Sequence, residues 1–263
     1  MIRSFRAELA RLIRRRVLIT TIVVVLASSV GGAAIELGGA EPASEMSPNS
    51  MTPTLETLAG AGGGTEIFRA VAAFSGTLVF ALFVGLFSLE FSRGTYRTML
   101  FRQPKRTSLL IGRLGALLAF AAAALACGEV ATWLAARFMA SGYDVSTDAW
   151  TGADALGAAV TDYASVLAWV TGYAVLAMLI AVLLRSVPLA LAVGIAWAGP
   201  AEHLIGDAWD PGRRFFPGLL LETLGQGGTS EVSMARALLT VAAYVVVAAA
   251  VAGTVFARRD VTA

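Results

Sequence analysis

The stretch Glu90-Phe-Ser-Arg-Gly-Thr-Tyr-Arg-Thr-Met-Leu-Phe-Arg-Gln-Pro-Lys-Arg-Thr-Ser-Leu109 lies between two long apolar runs, Ile67 to Leu89 and Leu109 to Arg137. It carries five basic residues within fourteen positions: Arg93, Arg97, Arg102, Lys105 and Arg106. Each flanking run is long enough, at about 1.5 Å per residue, to cross a hydrocarbon core about 30 Å thick. A basic segment between two spans reads as a cytoplasmic loop. Its inner signals describe a docking element. Gly94 breaks the preceding helix, Thr95 caps a new short one, and Pro104 turns Gln103 out of helical geometry and ends it. Between them lie about two turns, with Tyr96, Met99 and Leu100 on one side and Arg97 and Arg102 on another.

Composition agrees with the bilayer. Of the 263 residues, 57% are hydrophobic and 14% charged, with a mean hydropathy of +0.74, leaving too few polar groups to cover a water-soluble globule. The one cysteine, Cys127, lies in an apolar run, so no disulfide can form within the chain, and an inert buried thiol is expected.

At the amino terminus Ile2, Phe5, Leu9, Leu12 and Ile13 recur at helical spacing, while Arg3, Arg6, Arg11 and Arg14 to Arg16 fill the other positions. Residues 1–16 therefore form an amphipathic helix lying in the interface, its arginines at anionic head groups. A signal peptide is the competing reading, but the basic region is long and amphipathic and the apolar run after it approaches spanning length. Residues 17–263 form one domain of six spans, at about 17–35, 67–89, 109–137, 163–184, 187–203 and 237–257. The Arg185-Ser-Val-Pro188 turn makes the fourth and fifth spans an antiparallel hairpin. The segment 36–66, rich in Glu, Pro and Gly, reads as a flexible external loop. Phe215 to Leu221 is too short to cross and is expected to dip and return.

Sorting the charges fixes the orientation. Six spans with both termini cytoplasmic put fifteen of the twenty Lys and Arg inside, spread over four cytoplasmic segments, and leave only Glu8, Glu90 and Asp260 of the eighteen acids there. The sequence predicts an all-α, polytopic integral membrane protein.

The order Glu90, Gly94-Thr95, Arg97, Met99-Leu100, Pro104 and Arg106 resembles the first cytoplasmic loop of ABC-2 type permeases, the membrane subunits of bacterial ATP-driven exporters. The family pattern has a valine and a serine between the Pro and the Arg, where this chain has Lys105 alone. The resemblance implies that the loop is a coupling helix seated in a groove of a separate ATPase subunit, with Glu90, Gly94, Thr95, Tyr96, Arg97, Met99, Leu100, Arg102, Pro104 and Arg106 as its docking residues. It also implies an amphipathic elbow helix, a second permease chain (identical or related), a place in the inner, plasma membrane, and ATP hydrolysis on the partner. The layout matches along nearly the whole chain; the motif is sharp over Glu90 to Arg106.

The chain has no phosphate-binding loop and no His, Cys and acid cluster at metal spacing, so neither an enzyme nor a cofactor is expected, and nothing calls for nucleic acid. The lone His203 reads as structural or solvated. Glu129 is the one acid well inside an apolar run; it either lines a translocation pathway or sits near the outer interface, where water reaches it. Phe74, Phe80, Phe83 and Phe87 either line a lipophilic route or pack helices. A basic loop also fits a non-transporting membrane-bound regulatory or immunity protein whose loop meets anionic lipid; a secondary transporter, which wants ionisable or broken-helix positions near the midplane, fits less well, Glu129 being a poor candidate.

Overall fold

The computed structural model describes residues 1–44, 52–96, 105–229 and 231–259, and every regular element among them is helical. The main helices are α1 (Ile2–Leu12), α2 (Arg15–Gly38), α3 (Leu55–Ala59), α4 (Gly63–Phe74), α5 (Gly76–Ser92), α6 (Arg106–Met139), α7 (Ala153–Leu184), α8 (Val187–Ala196), α9 (Glu202–Ala208), α10 (Pro217–Gly225) and α11 (Met234–Arg258). Among the described residues five segments are long and apolar enough to cross a membrane: α2, α6 with its short extension to Tyr143, α7, α8 with α9, and α11. The pair α4 and α5 supplies a sixth if its two halves form one span. The chain is a polytopic helical membrane protein. Its exposed surface says the same: Ile22, Val23, Val24 and Val30 on α2, Leu239, Val246 and Val247 on α11, and Leu78 on α5 all lie more than half exposed, an apolar jacket suited to lipid.

Inside the jacket, α7 is the central post. α5, α6, α8, α10 and α11 all pack on it. Its Trp169, Tyr173 and Val182 are almost wholly buried with Phe80 and Phe87 of α5, Leu110 of α6, Leu220 and Leu224 of α10 and Phe256 of α11. Phe80, Phe83 and Phe87 are thus helix-packing residues, whereas Phe74 is 90% exposed and belongs to the jacket. Cys127, expected to be buried, is exposed on α6 in an apolar groove against α2, because the helix turns that face outward.

Four expected spans change shape. The second is not one straight helix over 67–89: α4 and α5 meet at 56°. The break falls at Ser75-Gly76, where the Ser75 amide is shared between the carbonyls of Val71 and Ala72 and its hydroxyl donates to Ala72 O at 2.7 Å. A side chain inserted into the helical ladder at a Ser-Gly pair is a recognised cause of a kink. The third span runs from Arg106 to Met139, 34 residues or about 50 Å. The fourth begins ten residues early, at Ala153, since Asp162, which reads as loop in the sequence, is buried against Thr65 and Arg69 from α4. The fifth passes through a π-helical turn at Trp197–Ala201 containing Pro200, whose missing N–H breaks the regular ladder, and resumes as α9.

Two non-spanning segments also differ. The glycines at 60–64 read as a floppy turn, but a Cβ on Gly63 would lie 1.9 Å from Leu58 O, so this glycine lets α4 start directly against a fully buried leucine. Trp150 Nε1 donates to that same carbonyl at 2.7 Å. Residues 45–51 of the expected loop lie outside the described residues. The Phe215–Leu221 region is the short helix α10, buried by Leu220, Leu221 and Leu224 against α7 and α11.

Candidate functional site

The loop that decides the sequence reading leaves α5 at Ser92 and rejoins the bundle at Arg106. Gly94 adopts φ +64, the left-handed value that closes a helix without a Cβ penalty, and its amide donates to Phe91 O at 3.1 Å. Thr95 and Tyr96 already lie in a new helical turn, so Thr95 is inside it instead of capping it. Arg97, Met99, Leu100, Arg102 and Pro104 lie outside the described residues. Arg106 starts α6 and donates to Arg259 O at 2.7 Å, while Arg259 donates to Leu183 O at 3.2 Å, so the base of the loop is stitched to the ends of α7 and α11.

Below this loop sits a closed set of four charges. Glu90, 2% exposed at the end of α5, accepts from Arg11 Nη1 of α1 at 2.8 Å and pairs with Arg113 Nη1 of α6 at 3.1 Å. Arg113 reaches Glu8 of α1 at 3.6 Å and donates to Leu86 O at 2.8 Å; Arg11 lies 3.9 Å from Glu8. Two acids and two bases cancel, which is the condition under which buried charge is tolerated. Glu90 and Glu8 hold the Arg11 guanidinium above its ordinary value. Three elements far apart in sequence are thereby fastened at one point: α1, the stem entering the loop, and the stem leaving it.

Gly112 makes that meeting possible. A Cβ there would lie 2.8 Å from Ser4 Cβ, 2.9 Å from Met1 O and 3.1 Å from Phe5 N, so only a glycine lets α1 lie flat on α6.

Tyr96 covers the charges. The sequence places it on the face offered to a partner; in the structure it is fully buried, its ring 4.5 Å from that of Phe91, 5.1 Å from that of Phe256 and 5.9 Å from the Arg113 guanidinium. Burial pushes its phenol up to about 12. Any apolar contact to a partner therefore falls to other loop residues.

The site residues missed by sequence reasoning are Glu8, Arg11 and Arg113. One signal was available: Phe5, Glu8 and Leu12 share a face of α1 at i, i+3, i+7, and an acid on an apolar face needs a partner there.

The other end of the bundle holds a different charge group. Asp162 of α7 accepts from Thr65 Oγ1 at 2.7 Å and Arg69 Nη1 at 3.2 Å, and Arg69 also clamps Glu66. Glu129 of α6 is apart from these pairs and lines a groove of about 530 Å³ with Trp133, Trp150 and Tyr163. His203 is satisfied by Gly199 O at 2.8 Å from Nδ1 and by Glu222 at 3.1 Å from Nε2. Because a carbonyl only accepts, Nδ1 carries a proton, and the Glu222 contact then needs one proton more, shared between ring and carboxyl. Burial pushes Glu222 above the usual carboxylate range, against the pull of His203. Among the described residues no group of three or more His, Cys, Asp or Glu could hold a metal ion.

No protein-family model matches this sequence, and no curated protein is significantly similar to it.

Proposed function

We propose that the chain is the permease subunit of an ABC-2 type exporter, docking a separate ATPase through the loop between α5 and α6. The observation that carries this reading is the fastening of that loop: its entering stem, its leaving stem and α1 are joined at Glu90, the first residue of the motif that resembles the family's coupling loop. A loop that transmits force needs a mount that does not yield, and a neutral buried charge set under an aromatic lid supplies one. The chain works as one of two permease subunits in the plasma membrane, with both termini cytoplasmic. ATP is hydrolysed by the partner, whose closure rocks the permease halves between inward-facing and outward-facing states.

With Tyr96 turned inward, Met99 and Leu100 are the apolar anchors of the docked loop. Burying each contributes roughly 1.5 to 3 kcal/mol. Met99→Ala combined with Leu100→Ala lowers recovery of the co-expressed partner ATPase by about one to two orders of magnitude, with membrane insertion intact. Unchanged recovery of the ATPase overturns the assignment. If charge reversal at Arg97, Arg102 and Arg106 instead abolishes binding to anionic vesicles, the loop is a lipid-binding patch and the protein is regulatory.

A further inference from the structure

The groove at the end of the bundle opposite α1 is built from α6, α7 and the α3–α4 junction. Its walls are alanines and valines with Trp133, Trp150 and Tyr163, and Val130, Leu156 and Val160 along its mouth are each about 60% exposed or more. An opening bordered by exposed aliphatic side chains on two long apolar helices is itself apolar, so it suits a lipophilic ligand.

Its polar chemistry is one-sided. Thr65 donates to Asp162, Trp150 to Leu58 O and Tyr163 to Ala122 O at 3.0 Å, so these three spend their protons inward. Glu129 is different: its Oε1 is closed off from solvent and has no hydrogen-bond partner among the described residues. Arg69 is taken by Asp162 and Glu66. An ionised carboxyl whose oxygen is closed off from water and has no compensating group is costly, and a positive charge beside it offsets that cost. The walls suit a cation as well, since aromatic faces attract one. Trp133 already does so within the chain: the Arg137 guanidinium lies 5.3 Å from its ring centre. At about 530 Å³ the groove falls in the range of ordinary small-ligand sites, about 300 to 1,000 Å³.

We propose that this groove is a binding site for a lipophilic organic cation of drug size, with its positive centre at Glu129, its aromatic or aliphatic body against Trp133 and Trp150, and entry between Val130 and Val160. The site is independent of the docking loop and of the exporter assignment: binding is measured on the permease chain alone, so either reading can fail without the other.

The test uses the full chain in phosphatidylcholine nanodiscs and two probes matched in size and lipophilicity but opposite in charge, radiolabelled tetraphenylphosphonium and tetraphenylborate. Saturable binding of the phosphonium at about one per chain, with no saturable binding of the borate, is expected. Glu129→Gln weakens it at least tenfold. Val160→Trp, which fills the mouth without touching the carboxylate, weakens it comparably and decides the matter if the first variant does not fold. Phosphonium binding no greater than to empty nanodiscs, equal saturable binding of the borate, or full binding in Glu129→Gln overturns the proposal and leaves a groove filled by lipid chains.

Discussion

The two ends of this bundle both bury charge, and they do so in opposite ways. At the α1 end Glu8, Arg11, Glu90 and Arg113 form a balanced set in which each guanidinium touches both carboxylates, joined across three elements far apart in sequence. At the other end Asp162 and Glu66 share Arg69, while Glu36 and Glu129 each keep a buried oxygen without a hydrogen-bond partner among the described residues. A balanced set offers no net charge to anything external and works as a fastening. An open set leaves a carboxyl without a counter-charge, the feature on which the proposed cation site rests. Burial alone distinguishes neither; the balance of charge does.

Breaking the closed set produces the largest effect. Arg113→Met removes a guanidinium that is 5% exposed and touches both acids, and leaving Glu90 without it costs about 3 to 5 kcal/mol. The measurement is thermal unfolding of the protein in nanodiscs, with Arg113→Met plus Glu90→Gln expected to recover much of the loss. A double variant no better than the single one would mean that the charges are not coupled. Next comes Gly112→Val, which forces α1 off α6 through backbone contacts and costs about 1 to 3 kcal/mol by overpacking. Its signature is faster protease cleavage between Leu12 and Arg15. Arg11→Ala follows at about 1 kcal/mol or less, because its side chain is 43% exposed and water screens what it contributes. Smallest of all is Glu129→Gln. With no hydrogen bond to lose, it shifts stability by under about 0.5 kcal/mol or raises it slightly. A large destabilisation there would place Glu129 in a structural network and erase the contrast between the two ends.

Much of the architecture is legible in the sequence because the bilayer demands it. Runs such as Val17 to Ile35 and Ala237 to Ala257 have no other home, and α2 and α11 occupy them almost as read. Gly94 is also legible, as a helix stop. What stayed hidden depends on partners across the fold. Asp162 reads as loop until Arg69 is placed beside it, and so the sequence starts α7 ten residues later than the structure does. Tyr96 reads as an outward anchor until Phe256, from the last helix, is brought over it. The bend at Ser75 turns on a local hydroxyl–carbonyl bond within an unbroken apolar run, where hydropathy carries no trace of it.

The four charges under the loop also have a bearing on biogenesis. All of them lie in the first 113 residues, whereas Phe256, which packs on Tyr96, sits at the end of the final helix. At ordinary synthesis rates that leaves on the order of ten seconds or more between the two. During that interval the nascent chain can neutralise its buried ions while the tyrosine has no ring from α11 against it. A chain that stops short of α11 should therefore insert with α1 fastened but with Tyr96 uncovered, an unfinished surface that membrane quality control can recognise.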